Sequence, residues 1–160
     1  MKRIEIKTSY ELYDSMEALA PEDKALLEKA IAVRETAYAP YSKFKVGTAI
    51  LLENGTYVLG SNQENAAYPS GLCAERVALF AAGSQHPGVT IKKIALTAKS
   101  PNQILKNPIS SCGACRQSIA EYEIKQQQPI EIIFMGETGK VAKVDSVKTL
   151  LPLLFESSSL

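Results

Sequence analysis

The 160-residue chain has three cysteines and a single histidine. An odd cysteine count argues against a disulfide framework. A domain of this length buries roughly 70% of the surface its unfolded chain exposes, so it needs no such staples. An excess of charge of one sign is also missing. Lys and Arg number 18 against 17 Asp and Glu, a net charge of +1. That removes the electrostatic case for nucleic acid or a membrane surface as the main partner. No apolar run approaches the ~20 residues of a membrane-spanning helix. The stretch Met1 to Lys7 carries charges throughout and lacks the apolar centre of a signal peptide. Internal repeats, low-complexity blocks and long linkers are absent. The expectation is one domain over residues 1–160, in the cytoplasm, where thiols stay reduced. Clustered reduced cysteines then serve more often as metal ligands or catalytic groups.

What is present reads as alternating helices and strands. Residues 2–7 alternate charged and apolar, the pattern of a short edge strand. Pro21, Glu22 and Asp23 suit the first turn of a helix running to about Ala37, with Leu27, Ala30 and Ile31 on one stripe. Phe44, Val46, Thr48, Ile50 and Leu52 mark a strand. Asn54-Gly55 turns it into a second, Thr56 to Gly60. A polar loop leads to a helix from Leu72 to Ala82, closed by Gly83. A strand at Ile91 to Ala98, a helix from about Cys112 to Lys125 and strands at Ile130 to Met135 and Lys140 to Val144 follow. Asp145 or Ser146 caps a short last helix, and the tail 156–160 is expected to be loose. This order predicts a three-layer α/β/α fold with a mixed, roughly five-stranded sheet.

The cysteines occupy informative places in that order. The helices near Cys73 and near Cys112 and Cys115 each follow a strand, so their N-termini emerge at the carboxyl edge of the sheet, where α/β folds bind ligands. Backbone N–H groups and the positive dipole end favour thiolate there. Three thiolates are one ligand short of a closed structural zinc site and match a catalytic site with an open position. No fourth cysteine exists, and His86, in Gln85-His86-Pro87-Gly88, reads as a solvated turn residue. Glu75, two residues from Cys73, is placed to handle the protons of a metal-bound water. Three thiolates and one zinc leave a net charge of –1. Arg76 and Arg116, adjacent to Glu75 and Cys115, are the candidates to offset it. On their own these residues leave open a structural zinc knuckle and a Cys112-x-x-Cys115 redox pair.

Cys73-Ala74-Glu75-Arg76 together with Cys112-Gly113-Ala114-Cys115-Arg116-Gln117 resembles the cytidine deaminases of the small homotetrameric type. Tyr38-Ala39-Pro40-Tyr41-Ser42-Lys43-Phe44-Lys45-Val46-Gly47 and Asn62-Gln63-Glu64-Asn65-Ala66-Ala67-Tyr68 look like further segments of that family. The resemblance runs from about Arg34 to Phe155. It implies one zinc per chain on Cys73, Cys112 and Cys115, and a zinc-held hydroxide that attacks C4 of the pyrimidine with Glu75 as proton shuttle. It implies that Asn62 and Glu64 hold the ribose 3′-hydroxyl and that Phe44 stacks on the base. Asn65, Ala66 and Ala74 would line the pocket. Tyr68 and Phe155 would approach a neighbouring subunit's site. The substrate would be a small nucleoside, cytidine or 2′-deoxycytidine, in pyrimidine salvage.

Two features depart from the family pattern. Ser111 stands where a proline usually precedes the first cysteine of the pair; as a helix cap, its hydroxyl can preserve the turn. Residues 1–20 form an N-terminal extension. Rival readings are a deaminase of a related aminopyrimidine nucleoside such as blasticidin S, a non-catalytic zinc-stabilised scaffold, and a redox protein using Cys112 and Cys115. The segment Asn62-x-Glu64-Asn65 favours cytidine over blasticidin S, and the intact Glu75 argues against a scaffold.

Overall fold

The computed structural model describes residues 1–156. Strand β1 (Glu11–Tyr13) precedes helix α1 (Pro21–Arg34). The hairpin β2 (Lys45–Leu52) and β3 (Tyr57–Ser61) leads to α2 (Ala74–Gln85) and β4 (Ile91–Lys99). Then come α3 (Gly113–Gln126), β5 (Glu131–Met135) and β6 (Val141–Val144). The six strands form one mixed sheet in the order β1-β6-β5-β4-β2-β3. The pairing of β4 with β5 is parallel and the others are antiparallel. Among the described residues no helix is long and apolar enough to cross a membrane.

The period-2 pattern of the strands sorts side chains between two helix layers. Ala49 and Leu51 of β2, Ala95 of β4 and Ile133 of β5 meet Leu26, Leu27 and Ala30 of α1. The alternate positions Ile50, Leu52, Ile94 and Ile132 meet Ala78 and Leu79 of α2 and Ile119 of α3. Both faces of the central strands are therefore covered, and residues 47–52 of β2 are buried without a break. Each fully buried Leu or Ile contributes about 1.5–3 kcal/mol. The three-layer α/β/α architecture read from the sequence is the observed one.

Four details differ from the sequence reading. The edge strand lies at Glu11–Tyr13, not at residues 2–7, and makes the sheet six-stranded. Glu11, Leu12 and Tyr13 pair with Lys143, Ala142 and Val141, and Tyr13 packs on the α1-side core. Ile4 and Ile6 alternate correctly but are exposed, with no face to bury against. Helix α1 stops at Arg34, short of Ala37. Gly83 lies inside α2. A Cβ there would sit 2.3 Å from the Tyr122 hydroxyl, so the glycine makes room for α3. The helix ends two residues later, before Pro87, which cannot continue it, and Gly88 takes a positive φ of 81°. The last helix is a single 3-10 turn, Val147–Thr149, and Ser146 is its cap, accepting from the Lys148 N–H. The tail expected to be loose lies, past Glu156, outside the described residues.

Two contacts fix the layers. A Cβ at Gly60 of β3 would lie 2.6 Å from the Ala78 nitrogen and 2.7 Å from the Ala74 carbonyl, so the first turns of α2 rest directly on the strand. On the other face Asp23, buried in the first turn of α1, accepts from Lys93 of β4 at 2.5 Å and Lys143 of β6 at 2.9 Å. Burial by itself would raise the Asp23 carboxyl. The hydrogen bonds and charges of Lys93 and Lys143 outweigh it and hold the group below the usual carboxylate range.

Gly60→Ala is expected to cost about 1–3 kcal/mol of unfolding free energy, measured by urea denaturation; an unchanged midpoint would contradict the close approach. Asp23 has a folded pKa below its unfolded one, so its contribution is complete above about pH 4 and is lost as pH falls through the folded value. Asp23→Asn should therefore destabilise by about 3 kcal/mol at pH 7 and flatten the acid limb of the stability curve. The same acid limb in both chains would contradict the assignment.

Candidate metal centre and adjoining cavity

The sheet order brings the cysteines together. Strands β3 and β4 both pair antiparallel with β2, so they run in the same direction. The helices that follow them, α2 and α3, begin at the same edge. Cys73 is the N-cap of α2 and Cys112 the N-cap of α3, both in extended conformation. Cys115 lies in the first turn of α3 and is fully buried, while Cys112 is exposed. The three sulfurs lie within 4.8 Å of one another, and those of Cys112 and Cys115 are 3.6 Å apart. Thiolates about 2.3 Å from a tetrahedral zinc are roughly 3.8 Å from each other. Donor type, number and spacing fit zinc with one position left for a non-protein ligand.

The electrostatics favour a thiolate at Cys73. The Cys115 thiol donates toward Cys73; with burial opposing and the Arg76 guanidinium assisting, Cys73 is lowered to about 5. The same contact and burial push Cys115 up. Arg76 reaches the Cys73 sulfur at 3.8 Å, the contact expected of a group that offsets surplus thiolate charge. Arg116 does something else. It donates to the carbonyls of Ser111 and Leu150, each at 2.8 Å, and to the Ser110 hydroxyl at 3.1 Å. It fastens the loop before Cys112 to the C-terminal segment.

Glu75, 5% exposed, is the buried carboxylate beside the cluster. Burial raises it first. Its own backbone amide lowers it, the Cys73 charge raises it further, and Cys115 and Ser111 pull it down, for a net rise. The Ser111 hydroxyl is itself buried. It does not cap α3 through its side chain; Cys112 holds the cap position, without a side-chain bond.

A cavity of about 730 Å³ opens in front of the cluster. Cys73, Cys112 and Glu75 lie in its wall with Phe44, Asn62 and Glu64. Asn65 and Tyr68 border it as well, whereas Ala66, Ala74 and Phe155 are not part of the wall. Ala74 is fully buried at the start of α2. Tyr68 is 78% exposed and stands edge-on to Tyr41 with ring centres 6.3 Å apart. Phe155 is 60% exposed, and its carbonyl accepts from Gln117 at 2.9 Å.

Asn62 and Glu64 are engaged by backbone. The Asn62 amide donates to the Phe44 carbonyl at 3.0 Å and accepts from the Val46 N–H at 2.8 Å. Glu64 accepts from the N–H groups of Tyr41 and Ser42 at 2.9 and 3.2 Å and from the Ser42 hydroxyl. Reading the sequence singled out neither Tyr41 nor Ser42 as a site residue, and both line the cavity. Apolar wall residues Leu96, Ala98 and Ile109 were missed too. Only the positions of Ser42 and Tyr41 at the entry to β2 offered a signal.

The model for the cytidine and deoxycytidylate deaminase zinc-binding region matches residues 20–129. The chain is 46% identical over 96 residues to the cytidine deaminase of Halalkalibacterium halodurans, covering 60% of this chain and 68% of that one. It is 50% identical over 101 residues to the cytidine deaminase of Sporosarcina psychrophila, covering 60% and 69%. The crystal structure of cytidine deaminase from Burkholderia pseudomallei superposes with a TM-score of 0.72 at 39% identity, over 86% of this chain and all of that one.

Purified protein is expected to hold about one zinc per chain, measured by elemental analysis after gel filtration. Cys115→Ser should retain less than about a tenth of that, the loss expected when one of three ligands goes. Full zinc content in that variant would remove Cys115 from the ligand set.

Proposed function

Because the chain belongs to the cytidine and deoxycytidylate deaminase family, we propose that it hydrolyses cytidine and 2′-deoxycytidine to uridine and 2′-deoxyuridine, releasing ammonia. The observation that carries this reading is a buried carboxylate, Glu75, beside three convergent thiols at a cavity of about 730 Å³. Cys73, Cys112 and Cys115 would hold the zinc. Bound there, zinc supplies a Lewis acid that makes a water molecule at its open position more acidic.

The chain's own groups do the rest. Glu75 accepts a proton from the attacking water and hands it to N3 of the pyrimidine. It then delivers the second water proton to the leaving amino group, so that C4 gains oxygen and loses ammonia. A carboxyl raised by burial is suited to this traffic, because its proton affinity lies closer to working pH. Arg76 offsets the thiolate charge through Cys73. Phe44 offers a flat apolar face to the base, with Asn65 beside it in the wall. Asn62 and Glu64 hold the sugar hydroxyl.

The wall also favours a nucleoside over a nucleotide. Its residues include two carboxylates, Glu64 and Glu75, and no lysine or arginine. A 5′-phosphate would meet negative charge and, among the wall residues, no cationic partner. The same reading makes the protein a cytoplasmic enzyme of pyrimidine salvage. It also makes it a homotetramer in which Tyr68 and Phe155 reach a neighbouring subunit's pocket, for which two exposed rings are suited.

Ammonia release should be rapid with cytidine and deoxycytidine and at least about 100-fold slower with CMP, the cost of a buried unpaired charge. Comparable turnover of CMP or of blasticidin S would displace the proposed substrate class. Glu75→Gln should keep its zinc and fold and lose about 10²–10⁴ in kcat. Near-normal turnover would take Glu75 out of the mechanism.

A further inference from the structure

We propose that Ser42 is a positioning residue that locks the sugar-binding carboxylate and the base-stacking ring into one rigid unit. The inference rests on the deaminase reading and deepens it. Ser42 makes three of the contacts that build this corner of the cavity. Its hydroxyl donates to Glu64 Oε1 and accepts from the Phe44 N–H at 3.0 Å, while its own N–H donates to Glu64 Oε2 at 3.2 Å. Among the described residues, no other side chain hydrogen-bonds both Glu64 and the backbone of Phe44.

The surrounding geometry shows why such a link is needed. Lys43, between Ser42 and Phe44, has φ 56°, a left-handed conformation that a residue with a side chain disfavours. The turn is held by bonds made elsewhere. Ser42 takes the N–H of Phe44, and Asn62 takes its carbonyl at 3.0 Å. The Phe44 peptide is thus gripped at both ends by polar side chains lining the same cavity. Glu64 in turn accepts three donors from Tyr41 and Ser42. A carboxylate has about four acceptor positions, so roughly one remains for a sugar hydroxyl. The Ser42 hydroxyl also heads the causes that hold Glu64 below the usual carboxylate range, which keeps it an acceptor. Base and sugar of one nucleoside are a fixed distance apart. Ser42 sets the matching distance between the groups that receive them.

The test is steady-state kinetics on zinc-loaded protein with cytidine and with 2′,3′-dideoxycytidine, which lacks the hydroxyl that Glu64 receives. Ser42→Ala should raise KM for cytidine roughly tenfold, as expected for loss of one charge-assisted hydrogen bond, with kcat changed less than about threefold. On the dideoxy substrate its effect on kcat/KM should shrink to about twofold or less. Ser42→Thr, which keeps the hydroxyl, should return KM to within about threefold of wild type. Lys43→Gly, which suits the left-handed turn and keeps Ser42, should leave KM within about twofold. An unchanged KM in Ser42→Ala, equal penalties on the two nucleosides, or failure of threonine to restore binding would each overturn the inference. Wild-type protein that releases no ammonia from cytidine would overturn the deaminase reading and this inference together. Active wild type with Ser42→Ala unaffected overturns this inference alone.

Discussion

Everything at the site depends on two helices starting at the same edge of the sheet. Strand β2 pairs antiparallel with both β3 and β4, and this makes its two neighbours run in the same direction. The chain leaves each of them toward the same side and enters α2 and α3 there. Cys73 and Cys112 cap those helices, and Cys115 follows one turn later. Residues about forty positions apart in sequence thereby place three sulfurs within 4.8 Å. Gly60 sets the height of α2 over β3, because any side chain would strike the Ala74 carbonyl and the Ala78 nitrogen. The apolar layers above and below the sheet serve the same end by keeping the helix starts fixed.

Concentrating thiolates in one place creates a charge problem, and the neighbouring residues answer it. Two helix N-termini present positive dipole ends. Arg76 touches Cys73 directly, while Arg116 spends its donors on the loop before Cys112 and on Leu150. Of two arginines adjacent to the motifs, one acts on charge and the other on loop geometry. Glu75 is kept out of water next to these groups, which is what raises its proton affinity. At the other side of the cavity a polar network among Ser42, Glu64, Asn62 and the Phe44 backbone fixes the spacing of those groups, as the helix starts fix the spacing of the sulfurs.

The sequence made some of this legible and concealed the rest. The three-cysteine cluster could be read because so few cysteines exist and because Glu75 and Arg76 sit beside one of them. The order of helices and strands could be read because periodicity is local. The register of the extension could not. Residues 2–7 and 11–13 both carry usable patterns, and only the edge of β6 decides which of them pairs. Gly83 looked like a helix stop, but its role depends on Tyr122 of another helix. Ser42 passed unnoticed as an ordinary loop serine, since its significance lies in two partners, one of them 22 residues away. Asn62 and Glu64 read as ligand-holding residues; in the fold Asn62 bonds the backbone of Phe44 and Val46, and Glu64 that of Tyr41 and Ser42.

Replacement of zinc by cobalt(II) tests the central claim most directly, because its visible spectrum reports ligand type, coordination number and access to the open position. Titration of metal-free protein should give thiolate-to-cobalt charge-transfer bands and intense tetrahedral d–d bands that saturate at about one ion per chain. Addition of uridine should shift the d–d bands, since an open position next to the cavity responds to what fills it. A spectrum without thiolate bands, or a four-thiolate spectrum that no nucleoside alters, would contradict an open three-cysteine centre at the cavity wall.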